Sequence, residues 1–540
     1  MRLLSVFWLA LAATSPVPGQ SNAVDKLLER VVMQEQVFLD ALALHSPLFE
    51  TYIQESSDAA TPGTPSPIRD HYFLGRVRIQ DDVEYEVLIE KTNPVAAPTK
   101  GGLLGLRGKP KPQPLAFLPR GFAQMAVLDL HGFNRQNYSF EYVRREFLGD
   151  VRTLVFDVSP PRHEPGRFVG RIWVEEGSAA VVRFNGTYLP APAIKNAAPE
   201  LYFHFDSWRA NPEPNLWVPS HVYVEDERSS ADGPAHFKAQ TRIWGYAAAT
   251  SNKLDELTQI LIESTDGVQD KSVARDASPL EGQRAWERQA EDNVISRLEK
   301  GNLLAPKGPV DDVLNTVVDN LIISGKLAVD AHCRVLLTTP FETFSIGHTI
   351  VISRGLLDVL PDEASLALVL ADELAHIALG HRTPTQFAFY NQTMLNDADL
   401  LVRLRLERTS RELDEAGAKT IEIMRTSPYQ KTANAGLFLK ALASRSASLP
   451  RLLAANVGNQ VANTAALGRL AEFTASAPDL EEAKLEQIAA LPLGSRVKLD
   501  PYTGRITLVA SKSISLLSAR EKMPFEVTPF LPYVTLAPAR

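Results

Sequence analysis

The sequence has very little cysteine and no long apolar run after its first residues. Cys333 is the only cysteine among 540 residues, so no disulfide can form within one chain. At the start of a predicted strand, Cys333 is most simply a small buried apolar side chain. No later segment reaches the roughly 20 uncharged residues that a membrane-spanning helix needs. We therefore expect a mature chain without a transmembrane segment.

An excess of positive charge is also missing. The chain has 56 Lys and Arg residues against 64 Asp and Glu residues, a net charge of −8. This balance argues against nucleic acid as a partner. The most basic stretch, Lys100 to Lys111, lies in a segment rich in proline and glycine. It predicts an exposed loop, with contact to anionic lipid headgroups as the alternative.

The N-terminus resembles an export signal. Arg2 precedes a mostly apolar run from Leu3 to Ala13, and small and helix-breaking residues follow up to Gly19. This pattern predicts a signal peptide over residues 1–19 and a soluble mature protein in the periplasm or another exported space. Export without disulfides fits a bacterial envelope better than an animal secretion.

Length and patterning predict a multidomain α+β protein. An N-terminal amphipathic helix is expected over residues 20–65, an antiparallel β domain over 66–268 and a helical linker over 269–309. A mainly helical domain is expected over 310–450, followed by C-terminal helices and a β-hairpin over 451–540. The predicted strands of the β domain are Tyr85–Glu90, Thr153–Val158, Gly170–Glu175, Ala180–Phe184, His221–Glu225 and Lys238–Trp244.

Residues 364–380 form the most informative segment. Apolar residues occupy nearly every side of this predicted helix, which is typical of a helix inside a core. Asp372 and His376 are four residues apart and share one face, about 40° of rotation apart, with Glu373 beside them. The pattern is D-E-x-x-H, one ligand away from the H-E-x-x-H of zinc proteases.

Charged groups buried in such a helix need a partner. A divalent cation would provide one, because zinc accepts carboxylate oxygen as well as imidazole nitrogen. The alternative is an internal salt bridge between an arginine and the carboxylates, with His376 as an ordinary core histidine.

Several further elements, spaced in order, carry a family resemblance. Thr349 to Leu357 contains a strand and an S-R-G-L-L turn, Pro361 to Ala371 begins the helix, and His381 follows the D-E-x-x-H motif. Over residues 310–450 the chain resembles the zinc metalloendopeptidases of the HtpX, prenyl-protein endopeptidase and BepA type. The resemblance implies a gluzincin-type domain, Zn²⁺ as the cofactor and polypeptides as substrates.

The resemblance assigns roles to individual residues and also reveals departures. It implies that Glu373 is the general base of a metal-activated water and that His376 and Asp372 are metal ligands. In the resembled family a second helix supplies the third metal ligand and, four residues later, an aspartate. These two positions are occupied here by Leu413 and Gly417, and neither can bind a metal through its side chain. Glu415, Glu412 and Asp414 are the candidate third ligands, with His381 and His348 as auxiliary ones.

Two functions remain open at this point. The first is a zinc metalloendopeptidase in protein quality control of the bacterial cell envelope. The second is a catalytically impaired pseudoprotease that binds unfolded envelope proteins or lipoproteins. The segment 342–352 predicts one strand, and in the resembled family the matching strand pairs with an extended substrate.

The β region carries a second, less specific resemblance. The order of its strands, from Thr153–Val158 to His221–Glu225, is similar to lipoprotein carriers of the LolA type, which are half-barrels. This resemblance implies a concave face that contacts a lipid, a lipoprotein or an apolar peptide. A purely structural sheet is the alternative.

Overall fold

A computed structural model of the protein describes most of the chain. The described residues are 18–57, 66–91, 117–190, 203–214, 216–230, 233–246, 279–360, 362–382, 397–404, 406–430, 434–461, 464–479 and 497–508. The stretch Lys100 to Lys111 and nearly all of the predicted signal peptide lie outside these ranges.

A large antiparallel sheet forms the N-terminal part of the described chain. Its ten strands are ordered β3-β2-β1-β10-β9-β8-β7-β6-β5-β4, so β1 and β10 join an N-terminal three-stranded meander to a seven-stranded one. The strands are β1 (Leu48–Ser57), β2 (Ser66–Ile79), β3 (Val83–Lys91), β4 (Ser139–Leu148), β5 (Val151–Ser159), β6 (Phe168–Glu175), β7 (Val181–Tyr188), β8 (Phe205–Glu213), β9 (Leu216–Ser230) and β10 (Gly233–Trp244).

Two helices cover one face of this sheet. They are α1 (Pro18–Leu42) and α2 (Pro119–Gln124). Alternating residues of the strands, such as Phe49, Phe73 and Ile243, point into the core beneath them. A buried ion pair fixes α1 on the sheet, because Arg209 donates to both carboxylate oxygens of Glu35 at 2.6 and 2.8 Å.

The opposite face of the sheet packs against the C-terminal part of the chain at its β1, β2 and β10 end. Leu48, Tyr72 and Trp244 belong to the same apolar core as the C-terminal helices. Buried polar contacts cross this junction: Glu50 accepts a hydrogen bond from Thr339 Oγ1 at 2.7 Å, and Arg242 pairs with Asp358 at 3.3 Å. The two parts therefore share one interior.

The C-terminal part is mainly helical around a small mixed sheet ordered β11-β13-β12-β14. Its strands are β11 (His332–Leu336), β12 (Glu342–Ile346), β13 (Thr349–Ser353) and β14 (Asn459–Gln460), and a hairpin of β15 (Val497–Leu499) and β16 (Ile506–Leu508) follows. Its helices are α3 (Pro279–Lys300), α4 (Pro309–Gly325), α5 (Arg354–Val359), α6 (Glu363–Ala378), α7 (Asp397–Arg403), α8 (Ser410–Thr426), α9 (Asn434–Arg445), α10 (Pro450–Leu453), α11 (Thr464–Arg469) and α12 (Ala471–Ser476).

This architecture is the predicted α+β arrangement, a large antiparallel sheet followed by a mainly helical domain. The six strands predicted in the β domain and the C-terminal hairpin are all present. None of the described helices is long and apolar enough to cross a membrane.

Two element predictions were wrong in detail. The N-terminal helix ends at Leu42, and residues 48–57 form β1, so the sheet begins before residue 66. Side chains along this segment alternate between two cores, as they do in a strand with both faces buried. Leu48 and Tyr52 face one core, and Phe49 and Ile53 face the other. Residues 342–352 form the hairpin β12–β13 rather than one strand, because Gly347, with φ +57°, turns the chain.

Candidate functional site

The helix α6 presents the predicted site residues from inside the core. Asp362 caps it by accepting a hydrogen bond from the Ser365 N–H at 2.9 Å. Gly380 follows its end with a φ of +71°, as expected of a helix stop. Because the helix is packed on nearly every side, Glu373 and His376 are both 0% exposed.

Glu373 is held by two side chains that come from two strands. Its Oε1 accepts hydrogen bonds from Thr343 Oγ1 of β12 at 2.8 Å and from Asn459 Nδ2 of β14 at 3.1 Å. Its Oε2 is buried and has no hydrogen-bond partner among the described residues. One carboxylate oxygen is thus oriented and the other is left for a further group.

His376 takes part in a chain of hydrogen bonds that reaches the surface. Its Nδ1 lies 2.8 Å from Nδ1 of His381, and His381 Nε2 lies 3.2 Å from Glu415 Oε2. Because a carboxylate only accepts, a neutral His381 donates through Nε2 and accepts at Nδ1. His376 then carries its proton on Nδ1, and its buried Nε2 keeps a lone pair with no described partner.

Burial keeps the His376 imidazole neutral. It lowers the pKa of His376 to about 4, and the charge of Glu373 opposes this shift without cancelling it. The same physical cause acts in the other direction on the neighbouring carboxyl group. Burial and then the charge of Glu373 raise the pKa of Asp372 to about 6, while Thr420 and Arg469 act against the rise.

Asp372 is paired with the second helix. Its Oδ1 lies 3.1 Å from Thr420 Oγ1 of α8, a buried hydroxyl that also lies 2.8 Å from the Ala416 carbonyl oxygen. Thr420 therefore holds Asp372 against α8.

The acidic residues at the start of α8 have other partners. Glu412 Oε2 accepts the Thr409 N–H at 2.9 Å and completes a capping box at the start of α8. Glu415 Oε1 accepts from Arg411 at 2.8 Å, and this bond, followed by the one from His381, holds the pKa of Glu415 below its usual range. The exposed Asp414 lies 4.0 Å from Arg469.

Arg469 fills the space beside Gly417. A Cβ atom added to Gly417 would lie 3.0 Å from the Cβ and 3.4 Å from the Cδ of Arg469. Where the family resemblance expects an aspartate, the chain therefore has a glycine covered by the stem of an arginine. Leu413, partly buried, occupies the expected third-ligand position.

The remaining predicted auxiliary residue has a separate role. His348 is in the turn between β12 and β13, and its Nδ1 lies 2.6 Å from the Asp330 carbonyl oxygen. The structure brings together Glu373, His376, His381 and Glu415, with Asp372 on the α8 side of the same helix.

These residues do not fit a complete zinc site. In the part of the chain that the structure describes, no group of three or more His, Cys, Asp or Glu side chains is arranged to hold a metal ion. Structural and catalytic zinc ions take at least three protein ligands. The assignment of His376, Asp372 and a third acid as metal ligands remains a prediction.

Four contacting residues were not predicted from the sequence: Thr343, Asn459, Thr420 and Arg469. Thr420 follows Leu413 by seven residues, so helical periodicity places it on the same face of α8 and could have identified it. The strand predicted over residues 342–352 contains Thr343 without giving it a role, and no sequence signal identifies Asn459 or Arg469, because each comes from a distant segment of the chain.

A buried helix with a D-E-x-x-H motif, a strand along it and a second helix across it define a metallopeptidase-type domain. Residues 326–475 match the family model described as Peptidase family M48, so this part of the chain is similar to that family. The resemblance expected over residues 310–450 is thereby confirmed from residue 326 onward, and the match extends to residue 475.

Among solved structures, similar chains include a LolA superfamily protein from Nitrosomonas europaea. It is 11% identical, with a TM-score of 0.20, and the match covers 41% of this chain and 90% of that one. MucB is 9% identical, with a TM-score of 0.14, over 42% of this chain and 94% of that one. A MucA/MucB complex from Pseudomonas aeruginosa matches at 10% identity and a TM-score of 0.14, over 41% and 94%.

The LolA superfamily is thus among the structural neighbours, as the β region predicted, but TM-scores this low carry no functional inference. No curated protein matches the sequence.

Proposed function

We propose that the protein binds polypeptides through its Peptidase family M48 domain without hydrolysing them. The observation that carries this proposal is the set of contacts around α8. Thr420 holds Asp372, Leu413 stands at the third-ligand position, and Arg469 covers Gly417. The proposed setting is an exported compartment, the periplasm of a bacterial envelope, where the partners would be unfolded envelope proteins or lipoproteins.

The positive charge of Arg469 beside the site supports binding without hydrolysis. Arg469 lies against Gly417 beside the site, and its positive charge acts against the rise in the Asp372 pKa that burial and Glu373 cause. A cation beside the site repels a second cation. The apolar Leu413 contributes no ligand, so a metal ion bound here would lack the third protein ligand that zinc requires.

The polypeptide part of the proposal comes from the family and from the strand beside α6. Peptidases act on polypeptides, and Thr343 of β12 contacts Glu373 directly, so this strand borders the site. Strand edges bind extended peptides through main-chain hydrogen bonds.

A second candidate is the zinc metalloendopeptidase with Glu373 as general base. It is favoured by two buried atoms without described partners, Glu373 Oε2 and His376 Nε2. Buried polar atoms are normally hydrogen-bonded, and a bound ion is one way to satisfy them. In this candidate His376, Asp372 and one of Glu412, Asp414 and Glu415 would hold the ion.

Lipid or lipoprotein contact through the β domain stays a prediction. The face of the sheet under α1 and α2 is filled with apolar side chains, including Phe168, Phe184 and Phe205. An acyl chain would have to displace them.

Metal content and cleavage together decide between the two candidates. We expect the purified protein to carry far less than one equivalent of zinc after incubation and dialysis, by elemental analysis. We also expect unfolded casein to bind but to stay intact with both the wild type and Glu373→Gln. Close to one equivalent of zinc, lost in His376→Ala, together with cleavage that Glu373→Gln abolishes, would establish the metallopeptidase instead.

A further inference from the structure

The edge of β12 that borders the site is already paired with the chain itself. β14 lies antiparallel to β12, with Thr343 opposite Asn459 and Glu342 opposite Gln460. Further along the same strand, the Arg408 guanidinium donates to the Ser345 carbonyl oxygen at 3.2 Å. The main-chain positions that an added strand would use are therefore occupied.

Glu342 anchors the segment that leads into β14. Its Oε2 accepts hydrogen bonds from three successive N–H groups, those of Asn456 and Val457 at 2.8 Å and that of Gly458 at 3.1 Å. Glu342 is 1% exposed, so these charge-assisted bonds are made away from water.

Gly458 allows the close approach of the two strands. A Cβ atom at this position would lie 2.5 Å from the carbonyl oxygen of Thr343, which is backbone and cannot move aside without shifting β12. Any residue other than glycine would push the segment away from the strand.

Asn459 connects the same segment to the buried carboxylate of the site. Its Nδ2 donates to Glu373 Oε1 at 3.1 Å, and its Oδ1 accepts the Arg408 N–H at 2.9 Å. The segment thus lies in register on the strand edge and contacts Glu373, two features of a peptide bound in this cleft.

We infer that residues 456–460 are an internal strand that occupies the polypeptide position on β12 and must leave before an extended polypeptide binds there. This inference rests on the proposed polypeptide-binding function. A tethered segment competes at a high effective concentration. The apparent affinity for an added polypeptide is then reduced by the fraction of molecules in which the edge is open.

Glycine-to-alanine substitutions at two positions test the internal strand. Gly458→Ala introduces the clash with Thr343, whereas Gly468→Ala on α11 is the matched control, because no atom lies within 4 Å of its added Cβ. The probe is fluorescein-labelled, reduced and carboxymethylated α-lactalbumin, and binding is measured by fluorescence anisotropy. We expect Gly458→Ala to bind the probe at least tenfold more tightly than the wild type, and Gly468→Ala to match the wild type.

Asn459→Ala is a second variant, which removes the side-chain contact with Glu373 without adding a clash with the backbone of β12. The test can therefore proceed even if Gly458→Ala fails to fold. Hydrogen exchange of residues 456–460, followed by mass spectrometry, reports whether the segment has left β12. Faster exchange without tighter binding overturns the inference but leaves polypeptide binding standing. Unchanged exchange in both variants overturns the inference as well. Absence of probe binding by every form, with the segment displaced, overturns both the inference and the proposed function.

Discussion

At the level of single residues, the site depends on which polar atom each buried side chain contacts. Asp372 stands where the family motif has a histidine, and its Oδ1 lies 3.1 Å from the Thr420 hydroxyl of α8. The identities of Asp372, Glu373 and His376 were evident from the motif. Their partners were not, because a hydrogen bond between α6 and α8 depends on how the two helices pack.

Removing the Thr420 hydroxyl should destabilise the protein. In Thr420→Val the shape is kept, but the partly buried Asp372 carboxyl group and the Ala416 carbonyl oxygen lose their contact with the hydroxyl, at a cost of about 1–3 kcal/mol. Thr426→Val at the end of the same helix is the control, because Thr426 is exposed and its hydroxyl donates to the Ile423 carbonyl oxygen of α8 itself. Urea unfolding measures both, and equal losses in the two variants would contradict the role given to Thr420.

At the level of helices and strands, sequence patterns predicted what local spacing controls. The apolar residues over 364–380 located α6, and short strand-like segments located the strands of the β domain. β14 was not predicted, since a two-residue strand has no periodicity of its own. Its position depends on Glu342 and Gly458, which are more than a hundred residues apart in the chain.

Asp70 shows the same dependence on distant segments, since it lies on β2 and accepts the Leu452 N–H of α10 at 2.8 Å. Burial raises the pKa of Asp70 to about 6, although the N–H groups of Arg451 and Leu452 lower it. A folded pKa above the unfolded value means that the folded state binds more protons between pH 4 and 6. The stability that Asp70 contributes is therefore present at low pH and is lost as the pH rises through about 6.

We expect Asp70→Asn to lose less stability than the wild type between pH 4 and pH 7, by about 2–3 kcal/mol. Chemical unfolding across this range measures the difference. Asp157→Asn is the contrasting control, because its hydrogen bond from Arg171 lowers the pKa of Asp157. Its contribution to stability is lost only as the pH falls below its ordinary pKa of 3.8, so Asp157→Asn should keep the wild-type pH dependence between pH 4 and pH 7. Parallel curves for the wild type and Asp70→Asn would refute the assignment.

At the level of the whole molecule, one sheet supports two cores. The face under α1 carries the first core, and the end formed by β1, β2 and β10 contributes Leu48, Tyr72 and Trp244 to the second. The sequence predicted both parts of the chain but not their union. Alternation along a strand predicts which residues share a face of the sheet, but not which segment of the chain covers that face.

The shared interior predicts one cooperative unfolding transition. Trp244 is 0% exposed and donates from Nε1 to the Asn302 carbonyl oxygen at 2.9 Å. Truncation in Trp244→Ala should cost about 3–5 kcal/mol and lower the melting temperature of the whole described structure. Calorimetry measures this shift, and Trp217→Ala, a partly buried position outside both large cores, should have a smaller effect. Two separate transitions, with only one of them shifted, would contradict a shared core.

The ten-stranded sheet and the helical domain that follows it are therefore not independent folding units, because they share a core. A protein fragment of residues 279–508 would lack Leu48, Tyr72 and Trp244. The apolar side chains that pack against these three residues would then face water. Recombination that moved either half into another protein would carry this aggregation hazard with it.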